Sequence, residues 1–198
     1  VTFLTFVFSF ISSFYVIRAF TKNSLASIFG ASIYAFNPLT FSHFPVHLDL
    51  LNKYFLPPLF LFAYKFLSYP NLKNSFLFFL FFTLNSLAAV YFQIFSFVAI
   101  PLFSLPFFIY KLRDIKYFLN ILKLSLIGVV FILPILYMNI PYLNFSRDEI
   151  TNRTIKENVV FSARIIDFLG SNPDNLIYGG FTKNLEEARG GSFEKQIP

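Results

Sequence analysis

Apolar runs rich in Phe, Leu and Ile follow one another from Val1 to Met138, separated by short polar breaks. A helix in water needs a polar stripe at helical spacing, and these runs have almost none. Their pattern predicts segments that face lipid. Six spans are expected, at about 1–20, 25–41, 50–67, 75–87, 90–110 and 117–138. The predicted class is all-α, a polytopic transmembrane helical bundle with an extracytoplasmic tail over 139–198 that leads toward a further span.

The run Ser75–Tyr110 sets the count. As one helix its 36 residues would reach about 54 Å, against a hydrocarbon core of about 30 Å. Two helices with a turn marked by Asn85, Ser86, Tyr91 and Gln93 fit better. Charge agrees with that division. It puts Arg18, Lys22, Lys65, Lys73, Lys111, Arg113, Lys116 and Lys123 on one side of the membrane, against Lys53 alone in the opposite short turns. Basic loops stay in the cytoplasm, so the expected location is the plasma membrane with the tail outside. A single helix would destroy the asymmetry.

The tail has another character. It holds eight of the ten acidic residues. Phe161, Ile165, Phe168 and Leu169 fall on one side of a predicted short amphipathic helix, with Ser162, Arg164 and Asp167 opposite.

Composition supports the membrane reading: 56% of the 198 residues are hydrophobic, and mean hydropathy is +0.64. There is no cysteine, so disulfides, thiolate metal sites and cysteine nucleophiles are excluded. The net charge of +6 is spread in clusters between apolar runs, which is topology and not a nucleic-acid face. Walker, dinucleotide, HExxH and GxSxG motifs are missing. The first residue is Val and the last Pro, and the chain reads as a fragment of a longer protein.

Ionisable residues at a membrane edge are costly to keep and point to function. His43, Pro45, His47, Asp49, Asn52 and Lys53 form such a group. A helix starting at Pro45 places Asp49 and Lys53 at i,i+4. Two readings stand. One is a polar cap with a local Asp49–Lys53 ion pair. The other is a site for an anionic group or a divalent metal (Mg or Mn), with Asp49 as oxygen ligand and His47 as ligand or donor. Asn85, Tyr91 and Gln93 are read either as hydrogen bonding between helices or as the lining for a polar headgroup.

The stretch LASIFGASIYAFNPLTFSHFPVHLDLLNKYFLPPLFLFAYKFL resembles a recurring pattern in the GT-C glycosyltransferase superfamily, nearest to its YfhO-like and related members. The likeness lies in a small-residue span, then a His47-Leu48-Asp49 unit, then Tyr54, Phe55, Leu56 and Pro57. NSLAAVYFQIFSF, FSARIIDFLGSNPDNLIYGG and SFEKQIP are similar to later segments of that family, in the same order. The resemblance implies transfer of a sugar from a polyprenyl-phosphate carrier to an extracytoplasmic lipid, glycan or protein acceptor. It also implies a principal acidic residue upstream of Val1. Within this chain it points to Asp49 and His47 at the catalytic or metal position. Lys53, Asn52, Tyr91, Arg164 and Glu194 are then candidates for binding substrate. The rival reading is a non-enzymatic membrane protein, a lipid or polysaccharide transporter or an assembly subunit. A transporter is expected to bring polar groups to the bilayer midplane and to show repeat symmetry.

Overall fold

The computed structural model describes residues 2–37, 40, 48–111, 114–148 and 180. The regular structure among them is helical: α1 (Thr2–Thr21), α2 (Ser24–Ala35), α3 (Leu56–Ser68), α4 (Leu72–Ala88), α5 (Val90–Tyr110), α6 (Ile115–Ser125) and α7 (Ile127–Asp148). Two 3-10 turns, Leu48–Leu51 and Lys53–Phe55, precede α3. The chain divides into two units, Val1–Arg147 and Asp148–Pro198. Of the second, only Asp148 and Gly180 are among the described residues, so the predicted tail helix lies outside them.

Within the first unit, α1 and α5 are long and apolar enough to cross a membrane. The pair α6 and α7 makes a third such segment if taken together, with a bend of 44° between Ile115–Ser125 and Ile127–Pro141. Helices α2, α3 and α4 have 12, 13 and 17 residues, shorter than the roughly 20 that a straight crossing needs. Side-chain placement is inverted relative to a soluble bundle. Ser9, Ser13, Ser27, Ser75, Ser96 and Ser104 are buried, while Phe29, Val98, Leu102, Ile109, Val130 and Leu133 are exposed. This is the arrangement of a membrane protein, whose small residues let helices approach and whose large apolar side chains meet lipid.

The predicted division of Ser75–Tyr110 holds. Helix α4 stops at Ala88, Ala89 is extended at φ −162°, and α5 begins at Val90. The two helices form a hairpin, because the Asn85 amide donates to Ser96 Oγ at 2.8 Å and to the Phe92 carbonyl at 3.3 Å. Aromatic pairs join the remaining helices. Phe62 stacks on Phe81 (5.3 Å) and Phe66 on Phe78 (5.7 Å) between α3 and α4, and Phe60 meets Phe103 edge-on (5.5 Å) between α3 and α5. Helix α7 closes on α4 where Gly128 faces Phe79, so tightly that a Cβ at Gly128 would lie 2.4 Å from the ring.

Three predicted boundaries change. The second helix ends at Ala35 instead of 41, two residues before Asn37, whose α conformation is disfavoured by the following Pro38. The last predicted span is broken at Leu126 into α6 and α7. The third helix does not begin at 45 or 50 but at Leu56, with Pro57 and Pro58 in its first turn. A helix running through that point would lose the hydrogen bonds from positions 57 and 58 to the carbonyls of Lys53 and Tyr54. In the first turn those missing N–H groups need no helical partner. The i,i+4 register expected for Asp49 and Lys53 is therefore not formed. The two residues belong to separate 3-10 turns, and no ion pair joins them among the described residues.

The Lys53 carbonyl accepts the Leu56 N–H within its own turn, and both carbonyls also take a hydroxyl from a neighbouring helix. Tyr34 OH on α2 donates to the Lys53 carbonyl at 2.8 Å, and Ser12 Oγ on α1 donates to the Tyr54 carbonyl at 2.5 Å. Removing either donor, by Tyr34→Phe or Ser12→Ala, is expected to lower stability by about 0.6–2 kcal/mol. Denaturation of the purified protein in detergent checks this; an unchanged midpoint for both variants would show that the carbonyls have other partners.

Candidate functional site

Among the described residues, the charged side chains of the first unit lie toward its two ends. At one end stand Arg18, Lys22, Lys65, Lys73 and Lys111, linked in depth by the Phe20–Tyr64 and Tyr64–Phe107 contacts at 5.3 and 6.0 Å. At the other end the close of α2, both 3-10 turns, the α4–α5 hairpin and the middle of α7 converge. The separation follows from short connections: each hairpin returns the chain to the face it left.

A cavity of about 420 Å³ opens at this second end. Asp49 borders it from the first 3-10 turn, Ser86 from α4, Tyr91 and Gln93 from α5, and Ile135 and Asn139 from α7. The Asn52 N–H donates to the Asp49 carbonyl at 3.2 Å and closes the turn that carries the carboxylate. Ser86 is buried, and its hydroxyl has no hydrogen-bond partner among the described residues. Asn139 donates to the Ile135 carbonyl at 2.8 Å within its own helix. The cavity thus offers one carboxylate and several neutral hydrogen-bonding groups on a largely apolar wall. Such a set suits a polar, hydroxylated headgroup attached to an apolar body.

Lys53 has a different setting. Its ammonium donates to the Tyr34 carbonyl at 2.6 Å and to Thr40 Oγ1, and lies 4.9 Å from the centre of the Tyr34 ring. Thr40 in turn bonds Asn37 Oδ1 through both its hydroxyl (3.0 Å) and its N–H (2.8 Å). Lys53 therefore ties the turn to the end of α2 and is not among the residues that line the cavity.

Of the site residues expected from sequence, Asp49 and Tyr91 share the cavity; Asn52 shapes its rim and Lys53 braces its neighbour. His47, Arg164 and Glu194 lie outside the described residues. Among the described residues no three His, Cys, Asp or Glu side chains come together, and the proposed metal pair has Asp49 as its one described member. The α7 contribution, Ile135, Met138 and Asn139, was not anticipated. Asn139, the first polar residue after a long apolar run and close to Pro141, was the available signal.

The two hairpin polar groups have opposite roles. Asn85→Ala is expected to cost about 1–3 kcal/mol, because Ser96 Oγ and the Phe92 carbonyl lose a buried donor. Ser86→Ala should shift stability by less than about 0.5 kcal/mol, since no bond is lost. Thermal denaturation in detergent separates the two; equal losses would show that the Ser86 hydroxyl is bonded. Comparison with family models, with curated proteins and with solved structures finds no match to this chain, and the functional reading rests on this geometry.

Proposed function

We propose that this chain forms part of a membrane glycosyltransferase that moves a sugar from a polyprenyl-phosphate donor to an acceptor at the extracytoplasmic face. The observation that carries the reading is Asp49, a carboxylate at the rim of a headgroup-sized cavity, at the bundle end away from Arg18, Lys22, Lys65, Lys73 and Lys111. In this reading the membrane is crossed six times. The helices α2, α3 and α4, with 12, 13 and 17 residues, are then short crossings.

The chemistry asks little of the protein. The acceptor oxygen forms a bond to the sugar's anomeric carbon, and the bond from that carbon to the donor phosphate breaks. The phosphate leaves with the electron pair, and the acceptor proton passes to a base. Asp49 is the proposed base, while Tyr91, Gln93, Ser86 and Asn139 bond the sugar hydroxyls. A lipid phosphate is already a good leaving group. Its charge calls for cations, for which Arg164 and its tail neighbours are the candidates. A divalent metal held through Asp49 and His47 would supply the same charge when bound.

Two outcomes test the reading. In the intact membrane protein, Asp49→Asn should reduce transfer from a lipid-linked sugar by at least about tenfold with folding unchanged. Unaltered turnover would remove Asp49 from the site and favour the non-enzymatic alternative. Reporter fusions should read cytoplasmic after Lys116 and extracytoplasmic after Tyr142; the reverse pattern would overturn the topology.

A further inference from the structure

Helix α6 presents three faces, and the bundle uses one of them. Tyr117 and Ile121 are buried in the cluster that contains Leu59, Phe66 and Phe78. Tyr117 OH donates to the Leu67 carbonyl at 2.7 Å, and the Asn120 amide to the Pro70 carbonyl at 3.3 Å, which fixes the rotation of the helix. A second face is apolar and open. Ile115, Leu119 and Leu122 are 66, 58 and 65% exposed, and Leu126 beyond the helix end is 65% exposed. Lys116 and Lys123 are exposed and seven residues apart, so they form a third stripe that flanks the apolar one.

The helix is separate from the span that follows. Asp114 caps its first turn by accepting from the Tyr117 N–H at 3.0 Å, and the chain bends by 44° before α7. The bend is held by Ser75, whose hydroxyl donates to the Leu124 carbonyl at 2.8 Å. The same end carries Lys65, Lys73 and Lys111, and its one acid among the described residues is Asp114, already engaged as the cap. An unpartnered apolar stripe beside a row of cations, at the basic end of a membrane bundle, has an anionic lipid surface as its complement.

We propose that α6 is an interfacial helix that seats in the headgroup layer of a leaflet rich in anionic phospholipid. Ile115, Leu119, Leu122 and Leu126 reach the upper acyl chains, and Lys116 and Lys123 hold lipid phosphates. The proposal is independent of the transferase reading.

The chain has no cysteine, so a spin label at Leu119→Cys reports from one place. In nanodiscs of phosphatidylcholine containing phosphatidylglycerol, its collision ratio of oxygen to a water-soluble nickel complex should be at least twice that in phosphatidylcholine alone. Lys116→Gln with Lys123→Gln should abolish at least half of that difference; both lysines are exposed, so the fold is retained. Three results would overturn the proposal: equal ratios in the two lipids, a difference insensitive to the lysines, or spin–spin broadening that shows a second copy covering the stripe.

Discussion

Two backbone carbonyls, those of Lys53 and Tyr54, organise the end of this bundle that holds the cavity. Pro57 and Pro58 cannot supply the N–H groups that would bond them in a helix. In a membrane no water stands ready to replace those donors, and an unsatisfied carbonyl there costs several kcal/mol. The Tyr54 carbonyl takes the Ser12 hydroxyl of α1 instead, while that of Lys53 takes the Leu56 N–H of its own turn and the Tyr34 hydroxyl of α2. The start of α3 is thereby fixed to both preceding helices. The turn that carries Lys53 comes to rest against Thr40 and Tyr34, and Asp49, in the turn just before it, is left at the rim of the cavity.

The same device recurs wherever a helix is interrupted or must be held at an angle. Ser75 reaches the Leu124 carbonyl at the α6–α7 bend, Thr83 reaches the Phe131 carbonyl in α7 at 2.8 Å, and Tyr117 reaches the Leu67 carbonyl at the end of α3. Hydroxyls thus act as movable donors inside the bundle, and their burial is a consequence of that use. The large apolar residues are displaced outward, where lipid is as good a solvent as the core. What results is a bundle with a dry middle, a basic end and a hydrogen-bonding end. Each is suited to a different layer of the bilayer.

Much of this order was legible from residue pattern. The division of Ser75–Tyr110 followed from length and from polar residues clustered near its middle, and the hairpin forms there. Asp49 and Tyr91 were both singled out as candidates, and the fold brings them to one cavity. The Asp49–Lys53 pair was misjudged. Helical spacing does not extend across this segment, which folds as two 3-10 turns with Asp49 in one and Lys53 in the other. The break at Leu126 was hidden for a different reason. Ile115–Ser125 is apolar enough to merge with the following run, and its lysines were counted as loop charge and not as a stripe of a separate helix.

The chain alone determined that its helices belong in lipid and where most of them stop, because hydropathy and proline act within a few residues of themselves. Tertiary structure decided which polar groups meet. Ser12 and Tyr54 are 42 residues apart and Tyr34 and Lys53 are 19 apart, and their hydrogen bonds, like the sharing of one cavity by Asp49 and Asn139, depend on how helices rotate and tilt when packed. That rotation is set by small steric facts, such as the ring of Phe79 against Gly128, which have no signature in local periodicity.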